Sequence, residues 1–295
     1  MDVRASSTAF DTVIFVLLVG VAVGVLAGID ARGDVDGDRV AQETADVLAT
    51  STAEVTYTRS VTVESSSLLG DDEHRTVGVT RSARGTHAQL LAAAAVSTPS
   101  LGGTSLVGTG GELREESRDA AERVLHTREA NVQVIVTWRP YPNATLGSSF
   151  AVGDGPPRDA DVSVATATVS SGLPEVSTEA RRAARKSGYG GIATVVAGSV
   201  VDGLFPPPEM RAALYSEGPD RALTAHRYRR AANALGVEDP GLSHPQTVER
   251  ANRKLARALA TRLRADLRQQ FETPEAAARA VRSHRVRLVV RTWSP

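Results

Sequence analysis

The chain has no cysteine, and that single absence removes a disulfide framework, a thiol nucleophile and every thiolate metal site. Aromatic residues are almost as scarce, at 4% of 295 positions, so a core must be assembled from Ala, Val and Leu. Lysine is confined to Lys186 and Lys254; all other basic residues are Arg. Catalytic signatures are missing too. The six histidines (His74, His87, His126, His226, His244 and His284) do not fall into H-E-x-x-H or another metal-ligand spacing. No G-x-S-x-G elbow occurs. The Gly-rich stretch "GGTSLVGTGGE" lacks the G-x-x-x-x-G-K-[ST] pattern that cradles phosphates. These absences point to a protein that is not an enzyme and carries no cofactor or metal. The rival is a membrane-tethered enzyme whose site is assembled from residues far apart in sequence.

Long apolar runs are equally rare. The one strong example is "TVIFVLLVGVAVGVLAGI", the 18 uncharged residues 12–29. As a helix rising 1.5 Å per residue it covers about 27 Å, enough for the hydrocarbon core of a bilayer. A cleaved export signal has a shorter apolar region, a positive start and a small-residue exit. Here the start carries Asp2, Arg4 and Asp11, and the exit reads "LAGIDARG", so the run reads as a retained transmembrane helix. The positive-inside comparison of Arg4 plus the amino terminus with Arg32 and Arg39 is nearly even, and long domains translocate regardless of it. The sequon Asn143-Ala144-Thr145, in the turn-like "YPNAT", fits an exported surface and makes Asn143 a candidate glycosylation site.

Asp11 sits at the entrance of the run. A carboxylate there either marks the headgroup boundary or, drawn inward, needs a partner such as a neighbouring subunit's amino terminus. The stretch "RASSTAFDTVIFVLLVGVAVG" resembles the N-termini of archaeal type IV pilin-like and TadE-like single-pass membrane proteins, with Asp11 where a mature fifth residue would fall after cleavage behind Ser6. Asp stands where those proteins have Glu, and "RASS" has no glycine. The resemblance covers about the first 30 residues; in general style the chain looks like uncharacterised haloarchaeal-type membrane proteins. It implies an assembly or accessory subunit of a pilus-like or secretion-like apparatus. Its partners would be the membrane and other subunits, with nucleic acid not among them. Its place would be the cell membrane, with the C-terminal domain outside.

The rest reads as one α+β domain of mixed helices and antiparallel strands. Residues 1–11 form a short tail, 12–29 the transmembrane helix and 30–40 a Gly/Asp-rich tether. The exported domain spans 41–295, with strands concentrated in 50–172, helices in 177–284 and a last strand over 285–293. Alternation predicts strands over 53–64, 74–82, 131–142 and 159–171. Helical spacing predicts 40–49, 87–97, 111–129, 190–205 (stopped by Pro206–Pro208), a helix closed by Gly236, and one of about 245–271. "SHPQ" at 243–246 fits a capping box for the last of these, and Thr273 caps a further helix. The 190–209 stretch is short for a span and reads as a core or partner-facing helix. The two tryptophans, Trp138 and Trp293, end similar strands, "NVQVIVTW" and "VRLVVRTW", each following a charged helix. They are either a helix–strand repeat or two equivalent strands of one sheet.

Charge is divided along the chain. Residues 181–295 hold 21 Lys+Arg against 10 Asp+Glu, leaving 13 and 24 for residues 1–180. The plain expectation is that the halves neutralise each other. The alternative is a basic helical surface, built from "HRYRRAA" and "ERANRKLARALATRLRADLR", on a cytoplasm-facing adaptor that grips an anionic partner.

Overall fold

The structure is a computed structural model that describes residues 35–66, 72–126, 130–242 and 244–294. The apolar run and Asp11 lie outside them.

Helix α1 (Val35–Thr50) opens the described chain, followed by a long hairpin of β1 (Thr52–Ser66) and β2 (Asp72–Thr86). Residues 35–40, expected as part of the tether, belong to α1; the rest of that stretch lies outside the described residues. Asp38, near the start of α1, suits a helix N-terminus, where the macrodipole is positive. Helix α2 (His87–Ser97) is as expected and begins with a full capping box: Thr86 Oγ1 accepts from Gln89 N, and Gln89 Oε1 from Thr86 N.

Two short strands, β3 (Ser100–Leu101) and β4 (Thr104–Ser105), stand at the start of the Gly-rich stretch. Gly102 and Gly103, with φ of 56° and 87°, make their tight turn, where a side chain would be strained. After α3 (Gly111–Leu125) come β5 (Asn131–Trp138), β6 (Leu146–Val152) and β7 (Ser163–Ser170). β6, "LGSSFAV", is a strand that composition hides, since its small polar residues carry little strand preference. Residues 139–142, expected as the end of the 131–142 strand, belong instead to the turn between β5 and β6, which includes the turn-like "YPNAT".

The helical half comprises α4 (Ser177–Leu204), bent at Gly188 with φ 58°, then α5 (Pro207–Tyr215), α6 (Pro219–Leu235), α7 (Val248–Gln270) and α8 (Pro274–Ala280). The prolines that end α4 also open α5, where a missing N–H costs nothing in the first turn. Gly236 closes α6 in the left-handed conformation, and Thr273 Oγ1 accepts from Ala276 N, both as expected. The cap before α7 differs from expectation. His244, through Nδ1, accepts from Gln246 N and caps a 3₁₀ turn over Pro245–Thr247 that leads into α7; Ser243 lies outside the described residues.

Strand β8 (Arg285–Trp293) ends the fold and ties it together. The main sheet has the order β4-β3-β6-β5-β8-β7, with every pair antiparallel. β5 and β8, the two tryptophan strands, are direct neighbours: Val134 faces Val290 and Trp138 faces Val286. They are thus equivalent strands of one sheet, with the indoles at opposite ends. Alternation splits the sheet into a buried face and a half-exposed face. Val134, Val136 and Trp138 of β5, Val286, Leu288 and Val290 of β8, and Ala165, Ala167 and Val169 of β7 form the buried face. It joins Ala41, Ala45 and Leu48 of α1 and Leu91 and Ala95 of α2 in the main core. The other face is mainly polar, with Thr137 and Thr168 partly exposed and Arg287 exposed.

In the helical half, Leu255, Leu259, Leu263 and Leu267 of α7 are buried against α4. Among the described residues the Ser177–Tyr215 stretch is long and apolar enough to cross a membrane, yet half of its apolar window is buried. Ile192, Val196 and Val200 belong to the same core as the sheet. The α+β class is therefore plain. The hairpin forms a satellite core with α2 and α3 from Val55, Tyr57, Ala83, Leu90 and Leu113, and its strands also meet α6.

Candidate functional site

The candidate residue that falls within the described chain is Asn143, at the tip of the β5–β6 turn. Its φ of 56° is a left-handed conformation that Asn tolerates better than most residues. Asn143 and Thr145 are exposed, while Tyr141 and Ala144 between and before them are buried. The sequon side chains are therefore on display and their backbone is fixed from beneath.

What fixes it is Asp266 of α7, buried at 6% exposure. Its Oδ2 accepts from Tyr141 Oη at 2.8 Å and from Thr145 N at 3.0 Å, and its Oδ1 from Gln270 Nε2 at 2.8 Å. Gln270 Nε2 also donates to Asn143 O at 2.8 Å. Burial, then the hydrogen bond to Asp266 and its negative charge, push the Tyr141 phenol well above its ordinary value. Arg282 N donates to Pro140 O, and Tyr141 meets Phe271 edge to face. A second anchor lies nearby: Trp138 Nε1 and Ser171 Oγ both donate to Ser283 O, at 2.8 and 2.9 Å. A recess of about 440 Å³ adjoins the turn, lined by residues including Ser100, Arg139, Asn143 and Thr145.

Sequence reasoning passed over Asp266, although a signal was present. Asn252, Leu259 and Asp266 recur every seven residues on the leucine face of α7, so two polar residues sit on an otherwise apolar stripe. Asn252 is the other: its Oδ1 accepts from Tyr228 Oη at 2.7 Å, and its Nδ2 donates to Phe205 O at 2.8 Å. Both polar interruptions are internal ties between elements.

The opposite face of α7 carries Arg250, Arg253, Arg257, Arg264 and Arg268, all exposed. Among the described residues none of these five forms an ion pair. Mutual neutralisation of the two halves therefore does not extend to this helix. Contacts that do bridge them include Arg81 with Asp220 at 2.6 Å and His284 with Glu175 at 3.9 Å.

No group of three His, Asp or Glu side chains among the described residues is placed to hold a metal ion. The histidines are dispersed. His87 starts α2, His226 lies in α6 and His284 precedes β8; each is held below the ordinary imidazole value, mainly by burial. Arginine charge adds to this at His87 (Arg123) and His226 (Arg229 and Arg230); at His284, Glu175 opposes it. The Gly-rich stretch forms the β3–β4 edge rather than a phosphate loop. There Gly110 approaches Ser97 O so closely that a Cβ would sit 2.3 Å from it.

No curated protein and no solved structure matches the chain. A family model does, over residues 10–293, so that the apolar run and the α+β domain fall within one family unit. The chain therefore belongs to the family of unknown function designated DUF7284.

Proposed function

We propose that this protein is a non-enzymatic, single-pass membrane protein and serves as an assembly or accessory subunit of a pilus-like or secretion-like surface apparatus. The observation that carries the reading is the family match beginning at residue 10, which joins the 12–29 run to the whole α+β domain as one inherited unit. Five residues separate that run from α1, and α1 is packed into the sheet core through Ala41, Ala45 and Leu48. On this reading the anchor leads into the fold through a short link, and the domain is held close to the bilayer. Asp11 meets a neighbouring subunit's amino terminus at the head of the anchor. The α+β domain lies outside the cell and Asn143 is glycosylated.

Protease treatment of intact cells tests the orientation. Digestion of the 35–294 domain is expected; its protection removes the exported reading. Mass spectrometry of the mature chain tests the rest. A start at or near Ser7 supports pilin-type handling, and a start beyond Asp30 excludes a retained anchor. A glycan mass on the peptide carrying Asn143 that disappears in Asn143→Gln is the expected modification result.

A second reading is favoured by the unpaired arginine stripe on α7. In it the domain faces the cytoplasm as an adaptor, and the stripe binds an anionic surface. Salt-sensitive binding to vesicles containing anionic lipid, reduced when Arg253, Arg257 and Arg264 become Gln, is its expected signature.

A further inference from the structure

The hairpin face turned toward α6 concentrates cationic donors. Alternation along β1 turns Val55, Tyr57, Arg59 and Val61 inward, and the register sets Arg81 directly opposite Tyr57. Helix α6 lies against both strands. Its first turn is fixed by Asp220, whose Oδ1 accepts from Arg81 Nη2 at 2.6 Å. Seven residues further along the same helix face stands Arg227, close enough to Arg59 and Tyr57 to feel the charge of both groups. Arg227 donates through Nη2 to Leu204 O at 2.7 Å, with its guanidinium 5.3 Å from the Phe205 ring centre. Arg59 stands 5.3 Å from the ring centre of Tyr57.

Three donors in this cluster lack an acceptor. Tyr57 Oη, Arg59 Nε and Arg227 Nε are all shielded from solvent and unpartnered among the described residues. Tyr57 as a whole is 3% exposed. Asp220, on the same helix, is engaged by Arg81. Burial and then the neighbouring Arg59 charge push Arg227 down to about 9. Folded proteins satisfy almost all buried donors, and an exception marks strain, a functional role, or a place for water or an ion.

We infer that Tyr57, Arg59 and Arg227 form a binding site for a tetrahedral oxyanion, phosphate or sulfate, either free or carried as a phosphomonoester. Guanidinium forks match the oxygens of such a group, and the phenol adds a donor from a third direction. A tetrahedral anion has oxygens enough to meet three donors approaching from two elements. Arg59 and Arg227 are mostly but not wholly buried, so the edge of the cluster borders solvent; their guanidinium heads turn toward the anion as it enters. Bound there, the anion supplies the missing acceptors, offsets the repulsion between Arg59 and Arg227, and fastens the hairpin to α6. Such a site is separate from the anchor and from Asn143, and it stands whether or not the assembly reading holds.

Thermal unfolding of the full chain tests it, in inorganic phosphate, glycerol phosphate, acetate or chloride at matched ionic strength and pH. The expected result is a saturable rise in Tm with phosphate, about 5 °C at hundredfold excess over Kd, with acetate following chloride. A rise with glycerol phosphate as well extends the site to phosphomonoesters; a rise with inorganic phosphate alone confines it to the free ion. Arg59→Met abolishes the rise and Tyr57→Phe weakens apparent affinity about tenfold, the loss of one hydrogen bond to a charged group. Tyr57→Phe removes only a hydroxyl, so it carries the test even if Arg59→Met does not fold. Equal Tm in all the salts overturns the site, and so does an undiminished phosphate response in Tyr57→Phe.

Discussion

Two of the polar junctions between the helical half and the strands are opposites. At the β5–β6 turn one buried carboxylate, Asp266, gathers a phenol, a backbone amide and a side-chain amide. At the hairpin, the phenol of Tyr57 and two arginine Nε atoms have no acceptor among the described residues. Each junction uses a buried tyrosine projecting from the strand half toward a helix. The first is closed within the chain; the second is left open to something from outside. Saturation thus separates a structural tie from a candidate ligand site more clearly than burial does, because both tyrosines are almost wholly buried.

The comparison breaks most visibly at Asp266. Asp266→Ala leaves Tyr141 Oη and Thr145 N without their acceptor and frees Gln270 Nε2 from one of its two, so denaturant unfolding should show a loss of about 3 kcal/mol. Tyr141→Phe removes one donor and leaves the carboxylate its other two. A loss of about 2 kcal/mol is expected for a hydrogen bond to a charged acceptor. Equal stability of Tyr141→Phe and the parent chain would remove the tie from the structure's supports.

Titration sharpens the contrast between the strand half and the helices differently. His87, His226 and His284 all ionise below the ordinary imidazole value in the folded chain. The unfolded chain therefore takes up protons first as pH falls through about 6.5. Stability is complete above that value and declines below it, until the folded histidines protonate too. Urea midpoints between pH 7.5 and 5.5 should fall accordingly. His87→Gln, at a buried site whose Nδ1 is unpartnered among the described residues, should make the decline shallower; an unchanged slope would shift the effect to the other two.

Much of the fold was legible because periodicity reports burial. The alternation in 131–142 and 285–293 marked the neighbouring strands β5 and β8, and the leucine spacing marked α7. The polar atoms that organise the interior were not legible in the same way. Nothing local to Tyr141 says that it will meet a residue 125 positions away; only the misfit of Asp266 on a leucine face hints at it. β6 was missed because pairing with β5, rather than its own Gly and Ser residues, makes it a strand. Proline was read as a stop and is also a start at Pro207. The candidate residue Asn143 was legible as a motif, whereas its fixed, exposed presentation depends on Asp266 and Gln270 from the other half.

The smallest expected effect carries the comparison furthest. Tyr57 and Tyr141 are both buried strand-half tyrosines, so a role set by burial alone makes their Phe variants equally costly. Hydrogen-bond saturation predicts otherwise. In chloride, Tyr57→Phe deletes a hydroxyl that has no partner among the described residues and removes its desolvation cost, so stability should stay within about 0.5 kcal/mol of the parent or rise by up to about 1 kcal/mol. In saturating phosphate the sign reverses, because only the parent chain can use the hydroxyl. A loss in chloride as large as that of Tyr141→Phe would mean that Tyr57 Oη already has an acceptor in solution, and the two junctions would then be of one kind.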